Sequence, residues 1–114
     1  MDLSSRACVP CRGAVTPLTE DEAKGYIVEI PGWTLAEGAA RIERKFRFGD
    51  FASAMEFARK VGELAEREGH HPDLAFGWGY CSVSFHTHRI GGLHENDFIM
   101  AAKVNALAGK GERT

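Results

Sequence analysis

The chain has 114 residues, of which 14 are basic, 16 acidic and 5 histidine, giving a formal net charge of −2. That length suits one domain with a single core, because a domain near this size buries roughly two-thirds of the surface its unfolded chain exposes. The charge balance lacks the basic footprint of a nucleic-acid binder. No stretch approaches the roughly 18 apolar residues of a membrane span, and the opening MDLSSRACVPCRGAV has no apolar run of signal-peptide length. A cytoplasmic protein with a mixed-sign, solvated surface is expected.

Residues 1–17 carry Pro10, Gly13, Pro17 and many small side chains, and read as a flexible arm. Within it Cys8-Val9-Pro10-Cys11 has the spacing of a zinc-ligand or redox pair, but no second pair follows to complete a four-ligand site. Cys81 lies far away in sequence, and an odd count of cysteines is not a disulfide framework. The domain proper is read over residues 18–110, leaving 111–114 as a tail.

Thr19 with Glu22 three residues later forms a capping-box pattern and predicts a short helix over 19–26. Pro31-Gly32 interrupts, and two strands follow over 33–36 and 40–46, joined across Glu37-Gly38 as a hairpin. Asp50 is a good N-cap for the longest helix, 51–68, in which Phe51, Met55, Ala58, Val61, Leu64 and Ala65 recur at three- and four-residue steps and predict its buried stripe. Two more strands are read over 74–78 and 80–87. In the second of them Val83 and Phe85 share one face, and Ser82, Ser84, His86 and His88 the other. Gly91-Gly92 turns the chain into a last helix over 95–108, with Phe98, Ile99, Ala102 and Leu107 as apolar positions and Gly109 at its end. The order predicts an α+β domain, a four-stranded antiparallel sheet with three helices packed on one face. Trp33, Phe76, Trp78 and Tyr80 are expected in the core or half-buried on the sheet, where they could also wall a planar ligand.

The stretch His70-His71-Pro72 carries the most chemistry. An imidazole titrates near pH 6.5 and so exchanges protons at neutral pH. Proline pushes the preceding residue out of the helical region, so His71 should be extended while His70 closes the helix, and the two rings should point different ways. A hairpin of the predicted length returns its far end to the side where it began, which brings His88 near this pair. Asp97 falls three residues after His94, the cap position of the last helix, and a carboxylate there satisfies orphan amides. The same carboxylate could instead orient a histidine. Glu66, four residues before His70, is either such a partner or a solvated side chain. A metal site built on His86 and His88 is the main chemical rival.

His70-His71-Pro72-Asp73, a later stretch ending Thr87-His88, then Gly91-Gly92-Leu93 and Asn96-Asp97-Phe98 together resemble the pterin-4a-carbinolamine dehydratases over about residues 18–108. The arm is similar to arms on some bacterial members. The resemblance implies the four-stranded sheet and three helices, a homodimer or homotetramer, and no cofactor or metal. It implies removal of water from a 4a-hydroxytetrahydropterin left by an aromatic amino acid hydroxylase. Carried over residue by residue, His70 and His88 become the acid-base pair, His71 a substrate-binding donor and Asp97 their supporting carboxylate. Pterin contacts would come from His70, His71 and Pro72 and from Thr87, His88, Arg89 and Ile90. Some members are similar in sequence yet also act as dimerisation partners of a homeodomain transcription factor, which makes an interaction protein the second class of function. Two departures stand out: His94 sits where many members have serine, a better cap, and His86 is not part of the catalytic pattern.

Overall fold

The computed structural model describes residues 3–8 and 16–109. In chain order these form α1 (Glu20–Ile27), β1 (Thr34–Ala36), β2 (Arg41–Arg47), α2 (Phe51–Glu68), β3 (Asp73–Gly77), β4 (Tyr80–Phe85) and α3 (Glu95–Ala108), with short 3-10 turns at Leu3–Ser5 and His88–Ile90. The sheet runs β1-β2-β4-β3, antiparallel throughout, so the expected α+β architecture is present. Two hairpins are joined by α2, and pairing of β2 with β4 makes them one sheet.

Local chemistry accounts for the helix ends. The Thr19 hydroxyl accepts from the Glu22 amide at 3.1 Å while the Glu22 carboxylate accepts from the Thr19 amide at 2.8 Å, closing the capping box of α1. Asp50 accepts from the Ser53 amide at 2.8 Å at the start of α2. Gly69 ends that helix in the left-handed region, φ +69°, and the amides of Gly69 and His70 both turn back to the Ala65 carbonyl. A side chain at residue 69 would be strained there, so this glycine sets the direction in which His70 leaves.

The core lies between the sheet and the helices. Ile42 and Phe46 of β2 and Cys81, Val83 and Phe85 of β4 are all fully buried on one sheet face. They pack in one cluster with Phe57, Val61 and Leu64 of α2 and Phe98, Ile99 and Val104 of α3. Trp33 is buried as expected, donating its indole N–H to the Asn105 side chain at 2.8 Å.

Four expectations need correction. Phe51 and Met55, read as part of the buried stripe of α2, are 45% and 48% exposed; Ala54 and Phe57 take the inward positions instead. The small Ala54 lets the helix sit close to the sheet, and Phe57 packs against Phe46 and Phe48 with ring centroids 4.8 and 5.1 Å away. Phe76 and Trp78 are likewise exposed, at 40% and 72%, because β3 is an outer strand that the helices only partly cover. Strand β4 stops at Phe85 rather than Thr87, since the Thr87 amide bonds across to the Gly92 carbonyl at 2.8 Å and the chain between them coils into the 3-10 turn.

The fourth concerns the arm. Residues 3–8 are docked along α3: Leu3 is 2% exposed, Lys103 donates to the Ser4 carbonyl at 2.9 Å, Arg6 pairs with Glu95, and the Cys8 amide donates to Glu68 at 3.1 Å. Their cover adds to the burial of α3, a helix on which eight residues from Asn96 to Ala108 are buried. The stretch 9–15, with Cys11, and the tail from 110 onward lie outside the described residues. Leu3→Ala should lower stability in chemical denaturation by about 2 kcal/mol, the low end for a buried leucine, because the arm can lift away and so caps the loss. An unchanged midpoint would mean that the arm contributes nothing to folding.

Candidate active site

The end of α2, the turn after β4 and the start of α3 converge on one carboxylate. Asp97 is fully buried in the first turn of α3. Its Oδ1 lies 2.6 Å from Nε2 of His70, and its Oδ2 accepts from the Thr87 hydroxyl at 2.7 Å and from the His94 amide at 2.9 Å. Asp97 thus completes the helix cap and is in hydrogen-bond contact with a histidine as well. His94 proves a competent cap, its Nδ1 accepting from the Asn96 amide at 3.0 Å where a serine hydroxyl would otherwise do so.

Burying a carboxylate is costly unless donors surround it. Here three do, and the third is His70. A carboxylate at that distance holds a proton on Nε2, leaving Nδ1 as the free acceptor of the neutral ring. The ring also lies nearly parallel to that of Phe85, at 16° and 6.1 Å between centroids, which limits its rotation. His70 is thereby aimed, with 13% of its side chain exposed.

The other histidines are held differently. His71 points outward, as the proline predicts, and pairs with Glu66 at 2.5 Å on the surface. Glu66 thus serves His71 and not His70. His88 is exposed, and its Nδ1 lies 3.0 Å from Nε2 of His86. Among the described hydrogen bonds Asp97 reaches His70 alone of the three histidines, although Thr87 links it to the residue beside His88. Pro72 and Ile90 are half-buried and Arg89 is exposed on the same two connecting segments.

Thr87 is the contact the sequence reading undervalued. Period two continues from Val83 and Phe85 to Thr87, so a hydroxyl was due on the core side, and a buried hydroxyl needs a partner. A hollow of about 410 Å³ on the helix-free sheet face, lined by Arg41, Glu43, Asp73, Ser82 and Ser84, contains neither His70 nor Asp97. Among the described residues no group of three or more histidine, cysteine or acidic side chains is arranged to hold a metal ion. Burial, then Glu68, pushes the Cys8 thiol up to about 12, and burial takes Cys81 to about 11, so both stay protonated near neutrality.

Comparison with known proteins places this geometry. Residues 16–107 match the family model described as pterin 4 alpha carbinolamine dehydratase. The chain belongs to that family. It is 58% identical to a protein of Methylococcus capsulatus provisionally named pterin-4-alpha-carbinolamine dehydratase, over 93% of each chain. A Cupriavidus pinatubonensis protein of the same provisional name is 56% identical, over 93% of this chain and 91% of that one. Among solved structures, a transcriptional coactivator/pterin dehydratase from Brucella melitensis superposes with a TM-score of 0.77 at 35% identity, covering 82% of this chain and 100% of the other. A pterin dehydratase-like protein described as a RuBisCO assembly factor in the alpha-carboxysome follows at 0.59 and 28% identity, over 68% and 90%. The family resemblance expected from the histidine and glycine motifs is therefore real, and it extends to the fold.

Proposed function

We propose that this chain removes water from a 4a-hydroxytetrahydropterin to give quinonoid dihydropterin, by general acid-base catalysis through His70 and His88. The observation that carries the proposal is the fully buried Asp97 bonded to His70 and, through Thr87, to the base of His88, in a member of this family. The 4a-hydroxyl is a poor leaving group as hydroxide. One imidazolium gives its proton to the hydroxyl oxygen, the C4a–O bond breaks with its electron pair and water departs. The N5 lone pair forms the C4a=N5 bond while the other imidazole takes the N5 proton, so the pair ends with the charge it began with. A positioned acid or base contributes about 10²- to 10⁴-fold. That suffices for a reaction with an appreciable uncatalysed rate.

In this reading residues 18–110 are the catalytic unit, and no metal or cofactor takes part. His71 donates to the pterin together with the neighbourhood of Pro72, and Thr87, His88, Arg89 and Ile90 frame the ring. The product suits regeneration of the cofactor of an aromatic amino acid hydroxylase, which we place in the cytoplasm. No described helix is long and apolar enough to cross a membrane.

A homo-oligomer belongs to the same reading. Phe51, Met55, Leu74, Phe76 and Trp78 are all more than a third exposed around the outer strand β3, and the Phe51 and Phe76 rings lie 5.8 Å apart. An unpaired strand edge flanked by such side chains is the kind of surface a second copy covers. The wild type should therefore sediment as a dimer or larger, and Phe76→Glu should shift it towards one chain; a monomeric wild type would remove this part of the reading. The names of the two structural relatives raise a second role, as a partner in transcription or assembly. A binding role alone gives no reason for a buried Asp97–His70 pair. The deciding experiment is the rate of quinonoid dihydropterin formation from freshly generated 4a-hydroxytetrahydropterin, with and without the protein. Acceleration supports the dehydratase, and none from folded protein overturns it.

A further inference from the structure

His86 lies outside the family's catalytic pattern, yet its ring sits edge-on to that of His88, with centroids 3.9 Å apart and Nε2 3.0 Å from Nδ1 of His88. We propose that His86 is a positioning residue that holds His88 in one tautomer, with the proton on Nδ1 and Nε2 left to exchange a proton with the substrate. The proposal rests on the dehydratase reading above and adds to it a residue that the family pattern does not supply.

The two rings meet on the outer face of the sheet. One proton, on either ring, must lie between the two facing nitrogens if they are to bond. Which ring carries it depends on what the far side of His86 meets. There, Nδ1 of His86 lies 4.0 Å from the Asp73 carboxylate of β3, which also pairs with Arg41 of β2 at 3.1 Å. Arg41 is in turn anchored on the Ser84 hydroxyl at 2.6 Å and near Glu37 at 3.5 Å, so the carboxylate is held in place. A negative charge on that side draws the single proton of neutral His86 to Nδ1 and leaves Nε2 as an acceptor.

His86 must then be neutral. Burial above all, then the neighbouring His88 and Arg41, hold it below its ordinary value, against the opposing pull of Asp73 and of Asp97 from α3. An acceptor at Nδ1 of His88 serves both halves of a proton transfer. It holds the Nδ1 proton in place while Nε2 gives its own proton to the leaving hydroxyl. The neutral ring that remains already has the right tautomer, so nothing moves at Nδ1. The backbone supports the arrangement, since Thr87, between the two histidines, is pinned by its amide to Gly92 and by its hydroxyl to Asp97.

The test compares wild type, His86→Ala and His86→Gln, each checked for native amide dispersion, by dehydratase kinetics and by the ring ¹⁵N shifts of His88. Glutamine offers a carbonyl oxygen as acceptor without an ionisable ring. Expected for His86→Ala are a kcat about 10-fold lower, the worth of one hydrogen bond to a charged group, with KM little changed, and appearance of the Nε2–H tautomer of His88. His86→Gln should recover most of both. An unchanged His88 ring pattern in His86→Ala overturns the proposal, whether or not kcat falls. If the wild type shows no dehydratase activity, the parent reading fails, and the ¹⁵N shifts still decide whether His86 orders His88.

Discussion

Asp97→Asn should lower the dehydratase rate by about 10²- to 10⁴-fold, the usual worth of a positioned acid or base, while leaving the fold in place. The amide oxygen can take the position of Oδ2 and keep the bonds from the Thr87 hydroxyl and the His94 amide. The amide nitrogen then faces Nε2 of His70, where Oδ1 now stands at 2.6 Å. Donor would meet donor, so His70 has to give up its Nε2 proton and hold one on Nδ1 instead. Its tautomer reverses and the counter-charge for its imidazolium is gone. Asp97→Ala should behave differently, because it strands the Thr87 hydroxyl and the His94 amide in a fully buried site. Losing one member of a buried charged network costs about 3–5 kcal/mol. Stopped-flow rates beside denaturant midpoints separate the two variants, and an Asn variant at the wild-type rate would remove Asp97 from the chemistry.

His70→Ala and His88→Ala should each cost about 10²- to 10⁴-fold in rate, but only the first should cost stability. Removing His70 leaves Oδ1 of a fully buried carboxylate without its partner, worth about 1–3 kcal/mol. His88 is exposed, and its described partner is His86, so its loss should leave the denaturation midpoint where it was. If the two imidazoles address opposite faces of the flat ring, the two variants should also differ in which 4a epimer they still turn over. Equal losses towards both separated epimers would count against that division of labour.

Much of this was legible because it is local chemistry. Asp50 opens α2, His94 and Gly109 bracket α3, and such caps act within a few residues of themselves. The failures share a different cause. Phe51, Met55, Phe76 and Trp78 follow apolar patterning perfectly well, but which face of α2 meets the sheet, and how far the helices reach over β3, are decided by packing between distant elements. The docking of Leu3 and Ser4 on α3 has the same cause: the small, proline-containing composition around them says nothing of a helix far along the chain. At the site, the spacing of His70, His88 and Asp97 was enough to bring them together on paper. Which histidine the carboxylate touches was not, because one turn of backbone after Phe85 decides it.

The docked arm also bears on how the protein is made. Arg6 reaches Glu95 and Cys8 reaches Glu68, side chains that stand two residues from Asp97 and His70 respectively. Residues 3–6 precede α3 in the chain, so their contacts with Glu95 and Lys103 cannot form until that helix has been synthesised. Such a long-range closure is late in folding, because the entropy of the loop must be lost before the contact forms. A nascent chain stopped before α3 would lack both the carboxylate that holds His70 and the helix on which residues 3–8 dock.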